Sequence, residues 1–79
     1  MITEQDMAII ARAFRTLESK TRGKYKAVLN FDGIESARIT LYDREYNVAF
    51  SHDWQTGDSA ASFVGALETR LNATDIINK

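Results

Sequence analysis

Seventy-nine residues with ten basic and eleven acidic side chains, no cysteine and no proline describe one small domain of almost no net charge. Without a thiol the chain has neither a disulfide staple nor a thiolate zinc site, so apolar packing or a partner must hold it together. Folding at this length buries only about 60% of the unfolded chain's surface, which leaves little core for a deep active site.

The chain opens with Ile2-Thr3-Glu4-Gln5-Asp6-Met7, where Thr3 can accept a backbone N–H as N-cap and Asp6 stands where a capping box needs its second acceptor. Ile2 and Met7 occupy the two positions of a hydrophobic staple. Met7, Ile10, Ala11, Phe14 and Leu17 then recur at three- and four-residue spacing, which predicts an amphipathic helix over about 4–21. Glu4 and Asp6 near its start and Lys20 and Arg22 near its end suit the macrodipole, and Gly23 offers a positive φ after the last turn.

From Lys24 the period becomes two. Tyr25, Ala27, Leu29 and Phe31 alternate with more polar neighbours, predicting a strand over about 24–31 that ends at the turn signal Asp32-Gly33. Ala37, Ile39 and Leu41 mark a second strand over about 36–42, and Tyr46, Val48 and Phe50 a third over about 45–51. Facing all apolar side chains one way requires a three- or five-residue loop in the first hairpin. In the second hairpin, a tip at Asp43-Arg44 puts Leu41 opposite Tyr46, Ile39 opposite Val48 and Ala37 opposite Phe50. Asp43-Arg44 is a poor two-residue turn by composition, but it is the only polar break available.

After a polar connection from His52 to Gly57, Asp58 or Ser59 is placed to cap a second helix over about 59–72, with Ala60, Phe63, Val64, Leu67 and Leu71 on one stripe. Gly65 in its interior costs about 1 kcal/mol against alanine, and close packing against a neighbour is the expected reason for it. In the tail 73–79, Ile76 and Ile77 either fold back onto the core or join a second copy in a homodimer.

The expected fold is α+β: a single α-β-β-β-α domain spanning 1–79, with two helices on one face of a three-stranded antiparallel meander. Phe14, Leu29, Ile39, Val48, Phe63 and Leu67 should form its core, and Lys24, Lys26, Asn30, Arg38, Thr40, Tyr42 and Asn47 should face solvent on the open side of the sheet. This element order is similar to that of the double-stranded-RNA-binding domain, which grips phosphates with lysines at the start of its second helix. The matching stretch here, Asp58-Ser59-Ala60-Ala61-Ser62, has no basic residue, so the similarity is one of topology.

Few residues invite chemistry. His52-Asp53 joins the single histidine to an acid, but sequence neighbours seldom point together, so a solvated strand-end histidine is expected and no catalytic residue is assigned. His52 with Asp53 and Asp58 makes a poor metal set, because such carboxylates serve ordinary turns and caps. Four scattered glycines form no phosphate loop, and no cofactor is implied. Asn72-Ala73-Thr74 matches a glycosylation acceptor, and chance spacing is the expected reason, because MITEQDMAII does not read as a secretory signal. No apolar run approaches the roughly 20 residues that cross a bilayer, so no membrane association is expected and the location is expected to be cytoplasmic.

Binding is the better expectation. Trp54, the only tryptophan, lies in a polar stretch as either a docking residue or a lid over the core, and Tyr42, Arg38, Lys24 and Lys26 stand on the open sheet face. Residues 1–26 carry six basic and three acidic side chains, whereas the rest carry four and eight. Lys20, Arg22, Lys24 and Lys26, with Arg12 and Arg15, thus form a basic surface that would suit nucleic acid as an alternative partner. The expected function is a small non-enzymatic interaction protein that docks on another protein, by analogy of size and composition with the inhibitors and accessory factors of phages and mobile elements.

Overall fold

A computed structural model describes residues 1–76 and has the expected order: α1 (Glu4–Lys20), β1 (Lys26–Asp32), β2 (Ser36–Tyr42), β3 (Val48–Asp53) and α2 (Ala60–Asn72). The strands form an antiparallel sheet in the order β1-β2-β3. Ile10 and Leu17 of α1, Ala37, Ile39 and Leu41 of β2, Phe50 of β3, and Ala60, Phe63, Leu67 and Leu71 of α2 make the buried core. Full burial of a residue such as Phe63 contributes about 1.5–3 kcal/mol.

Both helices start as their sequences dictate. Thr3 Oγ1 accepts from Asp6 N, and Asp6 Oδ2 accepts from Thr3 N, completing the capping box. Ile2 is buried and its N–H donates to Ile34 O at 2.8 Å, tying the N-terminus to the first hairpin. Arg22 and Gly23 both take positive φ where α1 turns into β1. Ser59 caps α2, with Ser62 as the reciprocal member and Asp58 Oδ1 accepting from the Ser62 hydroxyl.

The first hairpin uses the three-residue loop: Asp32 pairs with Ser36, and Gly33 supplies a φ of +58°. The second departs from expectation. Asp43 and Asn47 close a three-residue loop through Asp43 N–H to Asn47 O, Tyr46 N–H donates to Asp43 O, and Tyr46 takes a φ of 64°. Asp43 Oδ1 also accepts from the N–H groups of Glu45 and Asn47, which is what makes this wider turn better than a tip at Asp43-Arg44. β3 therefore starts at Val48, three residues later than expected.

A register shift next to Leu41 and Tyr42 then leaves Ala49 as an extra residue in β3. Val48 pairs with Tyr42 on the open face, while Phe50 pairs with Leu41 and His52 with Ile39 on the core face. The expected pairs of Leu41 with Tyr46, Ile39 with Val48 and Ala37 with Phe50 are thus displaced. Val48, expected in the core, is 61% exposed. Thr40, expected in solvent, is buried.

Two further expectations need correction. Gly65 has nothing within 4 Å of where a Cβ would lie, so no neighbour packs against it. Ile76 folds back against the core, which answers one of the two readings of the tail; Ile77 lies outside the described residues. Among the described residues, no helix is long and apolar enough to cross a membrane.

Candidate functional site

The open face of the sheet is organised in rows that the strand register defines. Lys26, Tyr42 and Val48 stand side by side across β1, β2 and β3 at one end. Asn30, Arg38 and Asp53 form the matching row at the other, where Arg38 donates to both carboxylate oxygens of Asp53. That hydrogen bond and the carboxylate charge raise the Arg38 pKa from its ordinary value. Arg38 is thereby engaged within the domain.

Tyr46 adjoins the first row from the β2-β3 turn. The residue is 73% exposed, and Lys26 Nζ lies 6.0 Å from its ring centroid. A shallow groove lined by Lys24, Lys26, Asp43, Arg44 and Tyr46 runs beside it, so the turn after β2 and the junction before β1 make one surface. The expected binding residues Lys24, Lys26 and Tyr42 belong to this end of the molecule. Tyr46 and Val48 belong there as well, although the sequence pattern puts both on the apolar face of the sheet and Val48 in the core; the unsuitability of Asp43-Arg44 as a tight turn is the one signal against that placement.

Trp54 lies elsewhere. Its N–H donates to Ala37 O at 2.8 Å, and its half-buried ring sits 5.7 Å, centroid to centroid, from that of Phe63. It extends the β2-β3 ladder by one pair and covers the core at that end. Arg12, Arg15, Lys20 and Arg22 are all exposed on α1 and the turn after it. Asp43 and Glu45 line a second shallow hollow together with Lys24, Tyr25 and Arg44, so this end of the molecule carries acidic as well as basic groups.

His52 is not solvated at a strand end but 5% exposed beneath α2. Its Nε2–H donates to Phe63 O at 3.0 Å, and its Nδ1 accepts from Arg70 Nη1 at 3.1 Å. A carbonyl can only accept and a guanidinium only donate, so these partners select the neutral ring protonated at Nε2. Burial lowers its pKa from the ordinary 6.5 most strongly; the Phe63 carbonyl works the other way and the Arg70 charge adds to the lowering. The signal for this placement was the continuation of the alternating pattern through Phe50, His52 and Trp54, beyond the expected end of the strand.

The two acids once grouped with His52 have other tasks. Asp53 holds Arg38, and Asp58 accepts from Gln55 N–H and the Ser62 hydroxyl. Among the described residues, no group of three His, Cys, Asp or Glu side chains is placed to hold a metal ion. Comparison with protein families, with curated proteins and with solved structures finds no match to this chain.

Proposed function

We propose that the protein is a non-enzymatic docking module that binds another protein through Lys26, Tyr42 and Val48 and the adjoining Tyr46, with Lys24 at the border. The observation that carries this reading is Tyr46. It occupies the left-handed position of a three-residue hairpin loop, where glycine is the usual residue, and the residue is 73% exposed. The left-handed backbone costs an L-residue about 1–2 kcal/mol, and an exposed ring returns little of that to folding. A strained, solvent-facing aromatic beside an exposed valine and a lysine is accounted for by contact outside the chain. Trp54 and Arg38, engaged by Phe63 and Asp53, are left out of the proposed surface.

The test is affinity capture from an extract of the native host, with the wild-type chain beside folded Tyr46→Gly and Val48→Ser variants. A protein retained by the wild type and lost from both variants supports the reading. A partner held equally by all three refutes the surface. Nucleic acid bound through Arg12, Arg15, Lys20 and Arg22 would instead show affinity that falls by orders of magnitude between about 50 and 200 mM salt. An inhibitor or accessory role of the kind phages encode would follow from a change in the captured partner's own activity.

A further inference from the structure

The seam between β3 and α2 joins a buried titratable ring to a cation on the opposite element. Phe63 O, already inside α2, uses its second lone pair for His52 Nε2–H, and Arg70 Nη1 reaches back from the last turn to His52 Nδ1. The same Nη1 donates to Ser51 O at 2.7 Å, and the guanidinium carbon lies 4.6 Å from the Phe50 ring centroid. Since Trp54 N–H donates to Ala37 O, the hydrogen-bonded pairs of this ladder are Ala37 with Trp54, Ile39 with His52 and Leu41 with Phe50. Ser51 falls between them, so its carbonyl faces the open edge of the sheet. Arg70 therefore covers an edge strand that carries no charged side chain from Val48 to Ser51.

We propose that His52 and Arg70 form a proton-operated latch, in which the neutral ring holds the C-terminal half of α2 against β3 and protonation at Nδ1 expels the guanidinium and uncovers the β3 edge. The incoming proton takes the lone pair that Arg70 uses, so that bond is lost and two cations face each other across the seam. The Nε2–H bond to Phe63 O survives, because the imidazolium still donates there. The change is confined to the Arg70 end. Asp58, ahead of α2, and Asp53, on β3, favour the charged ring more weakly than burial opposes it, and β2 presents Ile39 opposite. Release of Arg70 also frees one side of the groove lined by Val48, Phe50, Ser51, Arg70 and Thr74.

The experiment follows the ring nitrogens of His52, the guanidinium signals of Arg70 and the amide exchange of the whole chain by NMR from about pH 4 to 7. Nδ1 should change from acceptor to protonated with a midpoint below 6.5, and the Arg70 signals should change at the same midpoint. Amides of Leu67 to Leu71 should lose more protection than the β1-β2 ladder, which falls only as far as global stability falls. Arg70→Met, which keeps an aliphatic stem on Phe50, should move the midpoint up and abolish the α2 response. His52→Gln, which cannot titrate, should abolish it as well. Arg70 signals that stay still while the ring titrates, an equal loss of protection across the sheet, an Arg70→Met midpoint that does not move, or the same transition in His52→Gln would each overturn the latch.

Discussion

The guanidinium of Arg70 lies over the ring of Phe50 while one of its nitrogens serves both Ser51 O and His52 Nδ1. One side chain thus stacks on one β3 residue and hydrogen-bonds the next two. Lysine can supply donors but neither a planar fork nor the same stacking. Arg70→Lys should lower stability by about 1–2 kcal/mol, read as a lower urea midpoint with an unchanged slope. An unchanged midpoint would show that the planar fork and its stacking on Phe50 add nothing to folding beyond what a lysine supplies.

His52 gives the pH dependence a definite sign. Its native pKa is lowered by burial first and by Arg70 in addition, so between that value and 6.5 the unfolded chain binds a proton that the native chain does not. The His52 contribution is complete above 6.5 and is lost as the pH falls below it. Denaturant titrations of the wild type and His52→Gln across this range should show the wild-type slope reduced in the variant. Equal slopes would remove His52 as their source.

Tyr46 offers a test of strain without a partner in hand. Tyr46→Gly relieves the left-handed backbone but adds freedom to the unfolded chain, so stability should stay level or rise by up to about 1 kcal/mol. Tyr46→Ala relieves nothing and should not gain. A clear fall in melting temperature for the glycine variant would mean that the ring is needed for folding, which undercuts the docking proposal.

Gly65 sits in a helical turn of α2 with open space where its Cβ would be. Gly65→Ala should therefore stabilise the protein by about 1 kcal/mol through helix propensity alone. A raised urea midpoint checks this; destabilisation would mean that α2 requires glycine at this position.

Trp54 should prove a structural residue. Its contact with Phe63 predicts that Trp54→Ala costs about 2 kcal/mol, less than a fully buried tryptophan and more than an exposed one. Chemical denaturation gives the value directly. Loss of binding with unchanged stability would return Trp54 to the docking surface.

Local chemistry made much of this architecture legible. The Thr3-Asp6 capping box, the α1 stripe through Ile10 and Leu17, the α2 stripe through Phe63 and Leu67, and the first hairpin around Gly33 each depend on residues within a few positions of one another. The second hairpin was harder to read, because two requirements compete over residues 43–50. An unbroken alternation favours Tyr46 and Val48 in the core, whereas the Asp43 carboxylate gains two backbone donors by widening the turn. The turn prevails, and the extra residue Ala49 restores Phe50 to the inner face.

The candidate site follows from that outcome, and so does the place of His52. Their composition could be read in advance; their neighbours could not. Side-chain period and caps depend on the chain's own local geometry, so the amino acids alone determine two helices, three strands and the side each mostly buries. Which residues meet across eighteen positions, as His52 and Arg70 do, depends on register and on how α2 settles over β3. Only the assembled tertiary structure decides these contacts, because a one-residue bulge reverses the face of every side chain beyond it.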